Sequence, residues 1–323
     1  MQIAFVGDVM LGRLVNERLK TAGPAYPWGD TLPVLRQADL RIANLECVLA
    51  DGGVPEPGKV FTFRSDAENV RSLVAAQIDV VSLANNHVLD YGPDALREML
   101  PVLDRHGILH SGAGPDRDSA RRPAVRRVGA DAVGFVAFTD NQPDWEAAPG
   151  SPGVYYVPAE ATGERVEELL ELVRRTASRV RLLIVSAHWG GNWGSEAPAA
   201  HRALARRLVD AGAGVVFGHS PHIVRGVEVY RGRPVIYGAG DFVDDYAVDP
   251  EERNDRSFVF LLETDGGTPR RLRMVPTVIA DFQARLAGRS ARSITGRMKR
   301  LCADLGAAGS WDEAGGCLEM PLA

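Results

Sequence analysis

A chain of 323 residues with 45% apolar and 24% charged residues is long enough to bury a large core, and that balance excludes a disordered polymer. Its net charge of −5, without any Lys/Arg block, gives no footprint for nucleic acid or an anionic bilayer, so neither is expected as a partner. Three cysteines, Cys47, Cys302 and Cys317, lack C-x-x-C spacing, which argues against a disulfide framework and a thiolate zinc site.

The opening "MQIAFVGDVM" has no basic region ahead of its short apolar run, so neither a signal peptide nor an anchor is expected, and the expected compartment is the cytoplasm. "QIAFV" predicts a buried strand that stops at Gly7-Asp8, and Leu11, Leu14, Val15 and Leu19 have helical spacing. "ADLRIANLE" predicts a second strand, and "AENVRSLVAAQ" followed by "IDVVSLANN" repeats helix then strand. "PDALREMLPVLDRHG" has Pro at its start and Gly past its end, the punctuation of a helix, and the short strand "ILHSGAG" follows. "AVRRVGADAVGFVAF" predicts a hairpin turning at Gly129 to Asp131, and "TDNQPDWEAAPGSPG" a polar loop.

A second α/β half begins with the amphipathic helix "GERVEELLELVRRTAS" and the buried strand of "VRLLIVSAHWGGNW". "AHRALARRLVDAG" predicts a helix, "AGVVFGHSPH" a strand and loop, and "VEVYRGRPVIYGAGDF" a hairpin turning at Arg231-Gly232. "SFVFLLET" is a further strand, and "RMKRLCADLG" a helix near the end. These elements describe an α/β chain: residues 1–280 as a single domain, and 281–323 as a C-terminal helical extension packed on it. Two face-to-face sheets with outer helices and one doubly wound sheet both fit the order.

Polar clusters follow the predicted strands: Asp8, Asn44 with Glu46, Asn85 to Asp90, Asp140, His188, His219 with His222, and Asp241. Ligands of open α/β sheets bind outside the carboxyl ends of the strands, where such groups converge. Any single Asp or Asn there is explained as well by a turn or a helix cap. Histidine shifts the balance, because four of the seven sit in these loops, while His106, His110 and His201 lie in or beside other elements and are read as structural. Carboxylate, amide oxygen and imidazole without thiolate suit a divalent cation, Mn, Zn, Fe or Ca.

The ordered segments "GDVMLGR", "NLEC", "SLANNHVLDYG", "SAHWGGNW" and "GHSPHIVRGVEVYRGRPVIYGAGDF" resemble the CapA family, associated with capsule and poly-γ-glutamate synthesis. The resemblance, over roughly residues 2 to 265, implies the calcineurin-like metallophosphoesterase fold, a four-layer α/β/β/α sandwich. It implies a metal site assembled from five loops. Asp8 matches the first aspartate, but the histidine expected two residues later is Met10. Glu46 is the nearest counterpart of the bridging aspartate. Asn86 and His87 match the Asn-His pair, in which the amide binds metal and the imidazole faces substrate. His188 matches the lone metal histidine, and His219 and His222 match the last Gly-His-x-His motif with Pro221 as an extra residue. A thioether is a poor ligand for such cations, so one bound cation is expected rather than two.

Together these readings place Asp8, Glu46, Asn86, His188, His219 and His222 as metal ligands, and His87, Asp90, His219 and Asp8 as catalytic groups. Asp90 either orients His87 or caps the next helix. His219 and His222 share the roles of ligand and acid/base in an order left open. Asn44, Arg64, Trp189 and Asp241 are the candidate substrate-binding residues, whereas Arg225 and Trp193 are read first as a surface ion pair and core packing. Three functions fit: hydrolysis of a phosphoester or peptide-like amide, metal-assisted epimerisation at a peptide Cα by acid/base pairs, and a non-catalytic polymer-handling role. The partner expected for an enzyme is a small-molecule or peptide-like substrate.

Overall fold

The structure, a computed structural model, describes residues 1–322. The strand Gln2–Val9 is buried on both faces, as its unbroken apolar run requires of a central parallel strand. Leu40–Leu45, Val80–Ser82 and Leu109–Ser111 extend from it in parallel. On its other side Arg256–Asp265 and then Thr268–Ala280 pair antiparallel. A separate six-stranded sheet has the order Val227–Tyr230, Arg233–Ile236, Val215–His219, Leu182–His188, Asp131–Thr139 and Ala124–Val128, with parallel strands at its centre.

The two sheets pack face to face. Phe5, Ile42, Phe258 and Phe260 of the first meet Phe135, Ile184 and Phe217 of the second in one apolar cluster, with the Phe5 and Phe217 rings 5.2 Å apart. Helices cover the outer faces: Arg13–Ala22 and Gly92–Arg105 bury Val15, Leu19, Leu96 and Met99 against the first sheet. Glu164–Ala177 and Ala199–Asp210 cover the second. In Glu164–Ala177, Val166, Leu169, Leu170 and Val173 recur at helical spacing on the buried face, each stabilising by about 1.5–3 kcal/mol. Acidic residues in its first turn and Arg174 and Arg175 in its last complement the helix dipole. This is the α/β/β/α arrangement, and the single doubly wound sheet is not formed.

The end of the chain departs from the expected helical extension. A helix does form at Ala291–Asp304, with Ile294, Met298 and Cys302 packed into the cluster between the sheets. However, Gln283–Leu286 pairs with Thr268–Ala280, and the hairpin Ser310–Asp312 with Cys317–Pro321 adds two strands to the first sheet. A boundary at 280/281 therefore cuts through a sheet. The burial of Leu318 and Met320 on one face, with Glu319 on the other, explains the strand, but five residues are too few for that alternation to be read alone. No helix among the described residues is long and apolar enough to cross a membrane.

Register delivers the site. Asp8 lies opposite Asn44 on one neighbour and Asp241 on the other, and Asn44 lies opposite Ser82. In the second sheet His188 lies beside both His219 and Thr139. Parallel strands thus present their polar residues at a common edge. Gly7 makes this possible: a Cβ there would lie 1.9 Å from the Gly240 carbonyl oxygen, and the Asp8 amide donates to that same oxygen at 3.0 Å.

Candidate active site

The two sheet edges meet in a polar floor. Asp8, Glu46, Asp241, His188 and His219 are each at most 2% exposed. Donor atoms of Asp8, His188 and His219 all lie within 4.8 Å of one another, and so do those of Asp8, His222 and Asp241. Two potential ligand clusters therefore share Asp8. The Nδ1 atoms of His188 and His219 approach to 2.8 Å. On its far side His188 Nε2 meets Asn86 Oδ1 at 2.9 Å, and His219 Nε2 meets Ser186 Oγ at 2.7 Å. An amide oxygen only accepts, so His188 carries its proton on Nε2 and turns the Nδ1 lone pair inward. Such outer partners orient ligating imidazoles.

Burial dominates the electrostatics of this floor. Burial pushes the Asp8 and Asp241 carboxyls above their ordinary range, Asp241 far above, and the charge of Asp8 pushes Asp241 further. Burial, then the Asp8 charge, lifts Glu46 well up too. Burial also holds His188 well below its usual value and His219 down to about 3, so both imidazoles are neutral, the form that binds metal. Asp8 Oδ2 and Asp241 Oδ2 are buried without a hydrogen-bond partner. Buried carboxylates are ordinarily paired or bound to metal, and these donors fit a divalent ion. Cys47, fully buried and pushed up to about 12 by burial, is no thiolate ligand.

Beside the floor stands a His-Asp pair. His87 Nδ1 lies 2.6 Å from Asp90 Oδ2, and the ring stacks on Phe63 at 4.0 Å. Asp90 Oδ2 also accepts from the Phe63 amide at 2.6 Å, while Lys59 donates to Asp90 Oδ1 and to the Asn86 carbonyl. Asp90 therefore orients His87. It does not cap the helix Gly92–Arg105, whose N-cap is Tyr91 and which has no side-chain cap. Burial holds His87 down to about 4, leaving it neutral, with Nε2 pointing towards Glu46 Oε1 at 3.8 Å. A second pair, His222 with Asp241, has Nδ1 and Oδ1 3.0 Å apart. His87 and His222 line the same cavity of about 510 Å³.

A family model described as bacterial capsule synthesis protein PGA_cap matches residues 2–246. The chain belongs to this family. It is 34% identical over 297 residues to a probable polyglutamine synthesis accessory protein of Mycobacterium tuberculosis, a match that covers 88% of this chain and 78% of that protein. It is also 27% identical over 248 residues to the PGA biosynthesis protein CapA of Bacillus subtilis, covering 76% of this chain and 63% of that one. A solved hypothetical protein from Thermus thermophilus superposes with a TM-score of 0.53 at 17% identity, over 85% of this chain and 98% of that one. That likeness concerns the calcineurin-like α/β fold alone.

Within the capsule synthesis family frame, several expected site residues sit elsewhere. Trp189 is fully buried, donates Nε1 to the Tyr237 carbonyl at 3.0 Å and stacks on His201, so it packs the core and lines no substrate. Arg64 turns away, with its guanidinium 4.6 Å from the Tyr91 ring and Nη1 on the Gly52 carbonyl. Asn44 is fully buried and donates to Asp8 Oδ1 at 2.8 Å and Glu46 Oε2 at 3.3 Å, which makes it an orienting group of the floor. Asp241 is likewise a floor residue. Asn86 uses its amide oxygen on His188, and Asn85 ties the loop together through Asn44, the Leu45 carbonyl and the His87 amide.

The last loop divides by burial: His219 lies fully buried in the floor, whereas His222 lines the cavity. Met10 is buried, and its sulfur accepts from the Gly12 amide at 3.1 Å. The second ligand cluster therefore rests on Asp241 where an imidazole was expected, and the reason for expecting a single cation weakens. Lys59, Phe63 and Tyr246 were not anticipated. Lys59 lies in a Gly/Pro-rich segment whose path no periodicity reveals. Arg225 is buried rather than at the surface, and it donates to the Gly194 and Trp193 carbonyls at 2.9 and 3.2 Å. It holds the loop that presents Trp193, which is exposed and not packed in the core.

Proposed function

We propose that this chain is a metal-dependent enzyme hydrolysing a phosphoester or peptide-like amide bond of a small-molecule or peptide-like substrate. The observation that carries this reading is the pair of buried, unpartnered carboxylate oxygens, Asp8 Oδ2 and Asp241 Oδ2, beside two neutral imidazoles whose Nδ1 atoms converge. Asp8, His188 and His219 would hold one cation, and Asp8, His222 and Asp241 offer a second position. With imidazole in the set, Zn, Fe or Mn fits better than Ca. Bound there, a cation would supply Lewis acidity towards a substrate oxygen and would lower the pKa of water.

The chain's own groups supply the rest. Asp90 accepts the Nδ1 proton of His87 and so leaves the Nε2 lone pair free, the tautomer a general base needs. Phe63 fixes the ring plane by stacking, and Asn44 and Asn86 hold Asp8 and His188 in place. One further observation favours a second reading: two His-Asp pairs, His87 with Asp90 and His222 with Asp241, face one cavity, as removal and return of a Cα proton would require. Deuterium entering a peptide Cα from heavy water without bond cleavage would select that reading.

The primary test is elemental analysis of the purified protein together with a screen of phosphoesters and short amides. Wild type should carry a divalent metal, and Asp8→Ala should lose both metal and turnover. His87→Ala should keep the metal while losing about 100-fold or more in kcat, the span expected of general base catalysis. A metal-free wild type, with Asp8→Ala changing nothing measurable, would sink both enzymatic readings and leave the non-catalytic role.

A further inference from the structure

We infer that the mouth of this cavity selects a neutral or weakly charged peptide-like molecule with an aromatic or aliphatic side chain, and rejects a polyanionic chain. The inference rests on the cavity being the substrate entrance of the proposed reaction. At about 510 Å³ the cavity lies within the range that encloses small ligands. Nine large hydrophobic side chains are exposed among the described residues, and three of them, Val60, Phe61 and Trp193, line this one opening. Exposed apolar residues scattered singly need no explanation, but their convergence on one concave site does. Buried Phe63 and half-buried Tyr246 continue the apolar lining inward.

The charges at the mouth are already matched. Arg13 and Lys59 are its only lysine or arginine residues. Arg13 pairs at 3.3 Å with Asp245, whose side chain is fully buried, and Lys59 is bound by Asp90. Both cations also lie against aromatic rings, Arg13 at 5.7 Å from Phe63 and Lys59 at 4.5 Å from Trp145. A polyanion would need unpaired basic residues in series, and the lining offers none. What remains is the Asn192 carboxamide and the Asn86 amide nitrogen, suited to a peptide's N–H and C=O groups, whereas Asn254 is held by the Asp249 amide and the Ala247 carbonyl.

Saturation-transfer NMR on the full chain tests this with two probes, N-acetylphenylalaninamide and hexaglutamate. The phenylalanine probe should bind about 10-fold or more tightly than hexaglutamate. Phe61→Ser and Trp193→Ala should each weaken it ~3–10-fold, the range of one aromatic contact. Both side chains are exposed, so the variants should melt with wild type, and thermal melts check this. Hexaglutamate binding as well as the phenylalanine probe, no binding of the phenylalanine probe, or its binding unchanged in both variants would each overturn the inference. The readout is binding and needs no turnover. A metal-free, inactive protein that still prefers the aromatic probe would defeat only the enzymatic reading, and an active metalloenzyme preferring hexaglutamate would defeat only this one.

Discussion

The floor and the mouth of the cavity are made by different means. Asp8, Asn44, Glu46, His188, His219 and Asp241 sit at strand ends, closed to solvent, and strand pairing fixes their relative positions. Val60 and Phe61, 85% and 60% exposed, belong to the segment between the short strands Val48–Leu49 and Arg64–Ser65, and Trp193 to the loop after Leu182–His188. A sheet edge holds atoms to the precision that metal ligation demands. Loops can vary the opening without moving that edge. Chemistry and selectivity should therefore fail separately.

The largest effect should come from the backbone beneath the floor. Gly7→Ala puts a methyl group 1.9 Å from the Gly240 carbonyl oxygen, which the adjacent Asp8 amide already holds at 3.0 Å against the strand. The expected loss is about 3 kcal/mol of unfolding free energy, read from urea midpoints, with bound metal lost as well because Asp8 and Asp241 move apart. The rim substitutions Phe61→Ser and Trp193→Ala should leave that midpoint within about 0.5 kcal/mol. Should Gly7→Ala keep wild-type stability and metal, the close crossing of these two segments would be wrong.

Next in size is Asp90→Asn, at the boundary of the two regions. The carboxylate receives the Phe63 amide, the Lys59 ammonium and the His87 ring, and an amide cannot serve all three. A fall of ~10–100-fold in kcat is expected, with KM and metal content close to wild type, since the floor ligands are untouched. Equal losses of metal and of activity would move Asp90 from holding His87 to supporting the floor.

Legibility in the sequence follows the same division. Asp8, Glu46, His188 and Asp241 could be found because each follows an apolar run, and parallel strands bring such positions together whatever lies between them. The direction of a loop side chain has no such rule. Trp189 and Trp193 look alike in "HWGGNW", yet Gly190 and Gly194 take φ of 76° and 93°, and the chain turns one indole into the core and the other outward. Lys59 joins the His87 pair only through the path of residues 51–63, which no hydrophobic period describes. Asp90 was readable as two things at once until the helix began at Gly92, with Tyr91 as its N-cap. The C-terminal hairpin was missed because its strands are three and five residues long and gain their stability from the sheet they join.

The smallest effect lies under the rim and carries a pH signature. His201 is 5% exposed, stacks on Trp189 at 4.9 Å, and has no hydrogen bond at Nδ1. Burial, and then the Arg225 charge, hold it down to about 4 from 6.5. Between these values the unfolded chain binds the proton that the folded chain refuses, so this group's contribution to stability is whole above pH 6.5 and is lost as pH falls towards 4. His201→Phe keeps a ring against Trp189 and removes the proton uptake. Relative to their difference at pH 8, the variant should gain on the order of 1–2 kcal/mol over wild type at pH 5, measured by urea melts at both values. Asp140, pushed up to about 6 by burial, titrates with the opposite sign, but it is present in both proteins and largely cancels. Identical pH dependence in the two would mean that His201 is open to water in the folded chain. The inner wall that separates Trp189 from Trp193 would then not be closed, and the distinction between a packed interior and a selective rim would fail at that loop.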